Sequence, residues 1–165
     1  LVIGLSWLIK KMNATTAIAL FVLYSFVTGL TLSVIFLVYQ LGSIVSIFGV
    51  TAGIFAVMSA YGYYTKRDLT GMGTLAIFGL FGIVIAGIIN LFIHNSMADF
   101  VINVIGVVVF IALTAYDTQK IKEMNVIGNE GTDDDKKEAI MGALTLYLDF
   151  INLFLKLLSL FGKRR

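Results

Sequence analysis

Charged residues divide the chain into long apolar runs. No charge lies between Lys11 and Lys66, and none lies between Asp68 and Asp99. A helix needs about 20 apolar residues to cross a hydrocarbon core of about 30 Å, so the first run holds two spans and the second holds one. Residues 40–43 are the part of the first run with turn-forming chemistry, and they mark the break between its two spans.

The whole pattern predicts an all-α, polytopic membrane helix bundle in a single transmembrane domain over residues 1–165. Its five complete spans are expected at 14–39, 43–65, 72–93, 100–119 and 139–161. An apolar stub, residues 1–11, precedes them and is too short to cross. Because the stub ends in two lysines, we interpret it as the end of a truncated helix. Residues 120–138 are the longest hydrophilic stretch and are predicted to form a cytoplasmic loop.

Composition supports a membrane protein and excludes other classes. Apolar residues make up 59% of the chain and charged residues 13%, about half the charged share of soluble proteins. The net charge of +2 comes from 12 basic and 10 acidic residues that cluster at a few points, so there is no basic face for a nucleic acid. The chain has no cysteine and one histidine, and no nucleophile, base and orienting group at workable spacing. We therefore expect neither an enzyme nor a bound cofactor.

The basic residues that border the spans lie mostly on one side. By the positive-inside rule this side is cytoplasmic, and the loops at 40–43 and 94–99 are outside. A full crossing by the last helix puts residues 163–165 outside, against the rule; the alternative is a segment that enters and returns. We favour the full crossing. The cytoplasmic basic residues are Lys10, Lys11, Lys66, Arg67, Lys120, Lys122, Lys136 and Lys137.

Two aspartates lie within predicted spans, Asp117 in the fourth and Asp149 near the middle of the fifth. A charge at the centre of a membrane helix costs roughly 2.5–3.5 kcal/mol, so each needs an explanation. For Asp149 the simple alternative is an ion pair with Lys156, but seven residues correspond to about 10.5 Å along a helix, which is too far for direct contact. For Asp117 the alternative is a helix-end carboxylate that pairs with Lys120.

Small and polar residues form one helical face on each of these two spans. Lipid does not satisfy polar groups, so each face should point into the bundle, and burying them against each other is the least costly arrangement. We call these two faces together the polar seam. It comprises Asn103, Gly106, Phe110, Thr114 and Asp117 on the first helix, and Gly142, Thr145, Asp149, Asn152, Lys156 and Ser159 on the second.

Two carboxylates that meet in this seam would form a proton-sensitive pair. At about 4 Å and an effective dielectric of 20, their repulsion is about 4 kcal/mol, so the pair should hold a shared proton near neutral pH. Once both groups are ionised they repel each other unless a cation enters between the oxygens. Asp117 and Asp149 are therefore candidates for a pH-sensing pair and for transient calcium binding.

Four segments resemble the Bax inhibitor-1 family, also called the transmembrane Bax inhibitor motif family. They are "YSFVTGLTLS" (24–33), "TAGIFAVMSAYGYYTKRDLTGMG" (51–73), "TAYDTQKIKE" (114–123) and "LTLYLDFINLFLKLL" (144–158). The resemblance implies a seven-helix fold, of which this chain matches the part from the end of the second helix onward. It also implies a pH-sensitive calcium leak gated by two aspartates, which fall on Asp117 and Asp149.

The same resemblance implies a basic latch on the aspartate pair, which falls on Lys10. The family pattern has arginine there, whose planar fork can hold both carboxylates, whereas lysine offers one compact charge. A latch at Lys10 should therefore be weaker.

The sequence leaves two hypotheses for function. The first is a calcium-leak channel whose partners are calcium ions, protons and the lipid bilayer, with calcium as the permeant ion. The alternative is a non-conducting membrane regulator of stress or quality control that binds other membrane proteins, with the aspartates only locking helices together. We expect a bacterial inner membrane, with an internal eukaryotic membrane as the alternative.

Overall fold

The structure is a computed structural model that describes residues 12–124 and 131–165, and the secondary structure there is helical. Five stretches are long and apolar enough to cross a membrane, with α1 and α2 together forming the first, Ala14–Val38. This confirms the predicted all-α membrane fold. The predicted stub, with Lys10, lies outside the described residues. The helices are α1 (Ala14–Leu32), α2 (Ile35–Val38), α3 (Leu41–Tyr64), α4 (Thr70–Ile93), α5 (Ser96–Met124) and α6 (Asp133–Phe161).

The core of the bundle follows α5 and α6. Helix α5 packs against α3, α4 and α6, and α6 also packs against α1 and α3. Leu153 and Leu158 of α6 are almost completely buried, whereas Phe92 of α4 is 82% exposed. Surfaces that face lipid are expected to be apolar. The polar groups of α5 and α6 therefore lie inside the bundle, away from lipid.

Contacts at the two ends of the bundle fix the direction of α6. Beyond its last turn, the carbonyl of Lys163 accepts from the Gln40 backbone N–H at 2.9 Å, and the Arg165 N–H donates to Val38 O at 2.9 Å. At the other end, where Lys122 Nζ of α5 donates to the Tyr63 carbonyl at 2.8 Å and which we call the basic end, Gly142 of α6 faces Ile121 of α5, whose side chain would lie 3.2 Å from a β-carbon at Gly142. Helix α6 therefore runs from the basic end to the opposite end, which agrees with a full crossing and not with a re-entrant segment.

Two predicted loops are shorter than expected. The 120–138 loop is helical at both ends, because α5 continues to Met124 and α6 begins at Asp133. Thr132 caps α6 by accepting from the Asp135 N–H at 3.2 Å, and the acidic residues of the first turn favour the helix N-terminus. The predicted end of the 94–99 loop is also wrong, because α5 begins at Ser96.

Candidate functional site

The structure brings Asp117 and Asp149 together across the interface between α5 and α6. Asp149 lies on the buried face of α6 and is 5% exposed. Asp117 lies on α5 and is partly buried. Both aspartates line the same pocket, so their carboxyl groups are neighbours. Two residues that are 32 positions apart in the chain (149 − 117) thus form one site.

The pair lines a pocket of about 460 Å³ between α4, α5 and α6. Its polar side chains are Asp117, Thr145, Asp149 and Asn152, and its apolar wall is Ile77, Leu80, Phe110, Leu113, Leu144 and Leu148. Within the described residues, Asp149 Oδ2 is buried and has no hydrogen-bond donor when the group is written as a carboxylate. A buried acceptor without a donor costs about 1–3 kcal/mol, so this oxygen favours either a proton or a cation beside it.

The simple ion-pair alternatives for both aspartates are wrong. In residues 12–124 and 131–165 the one ion pair is between Lys137 and Asp134, at 3.4 Å on the surface of α6. Asp149 therefore makes no ion pair with Lys156, as the helix spacing predicts. Lys120 places its Nζ 5.8 Å from the centre of the Tyr116 ring and forms no ion pair with Asp117.

The two halves of the polar seam pack against each other, as the sequence predicts. Asn103 is buried and its Nδ2 donates to Ser159 Oγ at 3.1 Å, which joins α5 to α6 towards the opposite end. Gly106 leaves room for the aliphatic stem of Lys156, since a β-carbon at Gly106 would lie 3.0 Å from Lys156 Cδ. Because glycine has no side chain, the long side chain of Lys156 can cross α5 at this position.

Three other seam residues satisfy their donors within their own helices. Thr114 Oγ1 donates to Phe110 O at 2.7 Å, and Thr145 Oγ1 donates to Met141 O at 2.9 Å. Asn152 Nδ2 donates to Leu148 O at 2.8 Å. These bonds leave the side-chain oxygens of Thr145 and Asn152 available as acceptors in the pocket, whereas Thr114 is completely buried beside it.

Gln119 is a site neighbour that the sequence reasoning missed. Its side chain accepts from the Leu69 N–H at 2.9 Å and donates to the Arg67 carbonyl at 2.8 Å, which fastens α5 to the connection between α3 and α4. A single glutamine near the polar end of a helix carries no periodic or motif signal. Only the packing of α5 against that connection reveals it.

The pocket gathers oxygen atoms from carboxyl, hydroxyl and amide groups. In the described part of the chain no three His, Asp or Glu side chains cluster to hold a metal ion. Calcium takes six to eight oxygen ligands, and this pocket offers two carboxylates with the amide and hydroxyl oxygens of Asn152 and Thr145. Bound water would have to complete such a shell.

These features define a polytopic helical membrane protein with an acidic pair buried between two helices. The family model described as "Inhibitor of apoptosis-promoting Bax1" matches residues 1–165. The chain therefore belongs to the Bax inhibitor-1 family and is an integral, multi-pass membrane protein, which confirms the resemblance stated above.

Relatives from several bacteria show the same similarity. The inner membrane protein YbhL of Escherichia coli K12 is 54% identical over 166 residues, which covers all of this chain and 71% of YbhL. An uncharacterized protein of Borreliella burgdorferi is 50% identical over 165 residues, with the same coverage. An uncharacterized protein of Deinococcus radiodurans is 42% identical over 164 residues, covering 99% of this chain and 71% of that protein.

Proposed function

We propose that this protein is a pH-sensitive calcium-leak channel of a bacterial inner membrane, gated by Asp117 and Asp149. The membrane assignment rests on the similarity to YbhL, which is an inner membrane protein. The observation that carries the gating proposal is the position of Asp149, which is 5% exposed beside a second carboxyl group and has a buried oxygen without a donor.

The proposed mechanism is an exchange of a proton for a cation at the pair. With one shared proton, the two carboxyl groups hydrogen-bond and hold α5 against α6. When that proton leaves, two carboxylates about 4 Å apart repel by about 4 kcal/mol at an effective dielectric of 20. The repulsion separates the helices, and calcium entering between the oxygens offsets it. Calcium flux should therefore rise as pH rises.

The basic latch is part of the same proposal. Lys10 is the position assigned by family resemblance, and its single ammonium would hold one carboxylate less firmly than a guanidinium would. Its place lies outside the described residues, so Lys10 stays a prediction. Replacing Lys10 with arginine should reduce calcium flux, and replacing it with methionine should increase it.

Calcium flux in reconstituted vesicles tests the gate. The purified protein is placed in vesicles that enclose a calcium indicator, and the initial rate of calcium entry is measured between pH 6 and pH 8. We expect a severalfold higher rate at pH 8, and a rate for the Asp149→Asn variant that no longer depends on pH. Asp134→Asn is the matched control, because the Asp134 side chain is 78% exposed and lies outside the pocket.

Two results would contradict the proposal. An Asp149→Asn variant with the same pH response as the unaltered protein would remove the pair from the gate. Folded protein that passes no calcium at either pH would exclude conduction and favour the non-conducting regulator, in which the aspartates serve only to hold helices together.

A further inference from the structure

A second cavity lies between α4, α5 and α6, on the side of the aspartate pocket that faces the opposite end of the bundle. We call it the outer cavity, and its volume is about 650 Å³. His94, Asn95 and Ser96 line it, and these residues form the connection between α4 and α5. The outer cavity therefore reaches the end of the bundle that the charge pattern places outside the cell.

The outer cavity and the aspartate pocket share part of their walls. Leu80 of α4, Phe110 of α5 and Asn152 of α6 line both of them. Asn152 is three residues beyond Asp149, which is about 4.5 Å along a helix axis. The two cavities therefore adjoin at these three side chains, and together they extend from the opposite end of the bundle to Asp149.

Lys156 also lines the outer cavity, and its ammonium group lies between the mouth and the shared wall. Its stem crosses α5 at Gly106, where a β-carbon would lie 3.0 Å from Lys156 Cε. Because Nζ is bonded to Cε, the ammonium group lies near the level of Gly106. Along α5, Gly106 is about 10.5 Å beyond Asp99 and about 6 Å before Phe110. A solute that moves from the mouth to the aspartate pocket therefore passes the ammonium group.

The ammonium group is the deepest charge in the outer cavity. In the described part of the chain Lys156 forms no ion pair. The other ionisable residues of the lining are Asp99, in the first turn of α5, and His94, at the end of α4, so both lie towards the mouth. The wall shared with the aspartate pocket is uncharged. Because a cleft with low-dielectric walls focuses the field of a charge, the inner part of the cavity should repel cations.

We infer that Lys156 is a charge barrier that slows the passage of calcium between the opposite end of the bundle and the aspartate pair. This inference rests on the proposed function, because it names a residue that limits the rate of the proposed leak. The barrier is the electrostatic repulsion between one fixed ammonium group and a divalent cation. It requires no movement of a helix and no change in protonation.

Rates of thiol modification test the charge of the outer cavity without requiring calcium flux. The chain has no cysteine, so a single introduced thiol reacts without background. Gly87 of α4 lines the cavity, and a β-carbon there meets no atom within 4 Å, so Gly87→Cys should fit. Spheroplasts that carry this variant are treated with a cationic or an anionic methanethiosulfonate. The measured quantity is the ratio of the cationic rate to the anionic rate.

We expect Lys156→Met to raise this ratio severalfold, and Lys156→Arg to leave it unchanged. Gly82→Cys is the matched control for access, because Gly82 is on an exposed face of the same helix outside both cavities, and its thiol should react slowly with both reagents. An unchanged ratio in Lys156→Met would overturn the inference. A Gly87→Cys thiol that reacts with neither reagent would also overturn it, because no aqueous route would then lead past Lys156.

Calcium entry into the vesicles described above measures the barrier itself, at pH 8. Lys156→Met keeps an unbranched side chain against Gly106 and should raise the initial rate severalfold, and Lys156→Gln serves as a second uncharged variant with the same expectation. Lys156→Arg retains the positive charge and should keep the rate of the unaltered protein. Lys163→Gln is the matched control, because Lys163 is exposed beyond α6 and does not line the outer cavity.

Failure of the inference and failure of the proposed function are distinguishable. Uncharged Lys156 variants with the same calcium flux as the unaltered protein would overturn the barrier and leave the proposed leak in place. Protein that passes no calcium, with or without the charge at Lys156, would overturn the proposed function and the barrier together.

Discussion

Replacing Asp149 with asparagine should stabilise the fold at high pH and leave its stability almost unchanged at low pH. In the proposed mechanism the aspartate pair holds a shared proton at pH 5, and an asparagine amide would reproduce the resulting hydrogen bond to Asp117. At pH 8 the unaltered protein must either retain the shared proton, although the solution favours its loss, or hold two negatively charged carboxylates side by side. The asparagine variant faces neither cost, because its NH₂ group donates to Asp117 at every pH.

The size of the gain follows from the burial of the site. Asp149 is 5% exposed and its Oδ2 has no donor within the described residues. An unsatisfied buried acceptor costs about 1–3 kcal/mol. Repulsion between two carboxylates about 4 Å apart costs up to about 4 kcal/mol at an effective dielectric of 20. Helix separation and proton retention relieve part of this, so we expect a gain of about 1–3 kcal/mol at pH 8.

Unfolding by sodium dodecyl sulfate in mixed micelles measures this difference. Helical content is followed by circular dichroism for both proteins at pH 5 and pH 8. Asp134→Asn serves as the control, since its exposed surface ion pair should contribute less than about 1 kcal/mol at either pH. An Asp149→Asn variant that is less stable than the unaltered protein at pH 8, or that gains equally at pH 5 and pH 8, would refute the reasoning.

Three further predictions concern other parts of the chain. The Thr70 hydroxyl and backbone N–H both donate to Asp68 and lower the pKa of that carboxyl, so its stabilising effect is present above its ordinary pKa and is lost as pH falls through the lowered value. In an NMR titration, Thr70→Ala should raise the pKa of Asp68; an unchanged value would contradict this. Thr132→Ala should cost about 1 kcal/mol by removing the α6 cap, measured by micelle unfolding, with no loss as the contrary result. Leu153→Ala, at a site with 0% exposure, should cost about 2–5 kcal/mol for the lost packing and the cavity, whereas Leu91→Ala, at a site 70% exposed, should cost much less; equal losses in the same unfolding assay would be inconsistent with this packing.

The spans were largely predictable because lipid imposes a length on apolar runs. The break after residue 39 and the start of α4 near residue 70 agree with the predicted spans to within about two residues. The end of α6 at Phe161 was predicted, but its start and both ends of α5 were not, because these helices continue into polar sequence beyond the hydrocarbon. There the limit is set by capping at Thr132 and by side-chain contacts such as that of Lys122 with Tyr63, which no count of apolar residues contains.

Some residues of the candidate site could likewise be predicted from the sequence, whereas others could not. A carboxylate inside an apolar run is costly wherever the helix packs, so Asp117 and Asp149 could be identified from the sequence alone. Their polar faces could also be paired, because lipid leaves them no other partner. The sequence did not indicate Gln119, because its role depends on which backbone lies opposite it.

By itself, the sequence determined the class of protein, the number of crossings and the two acidic residues, because each follows from the cost of placing polar groups in hydrocarbon. The tertiary structure decided that the two acids are neighbours, that one carboxylate oxygen has no donor among the described residues, and that Gln119 fastens α5 to the connection between α3 and α4. These are properties of distances between helices, and a linear pattern of apolar and polar residues does not specify such distances.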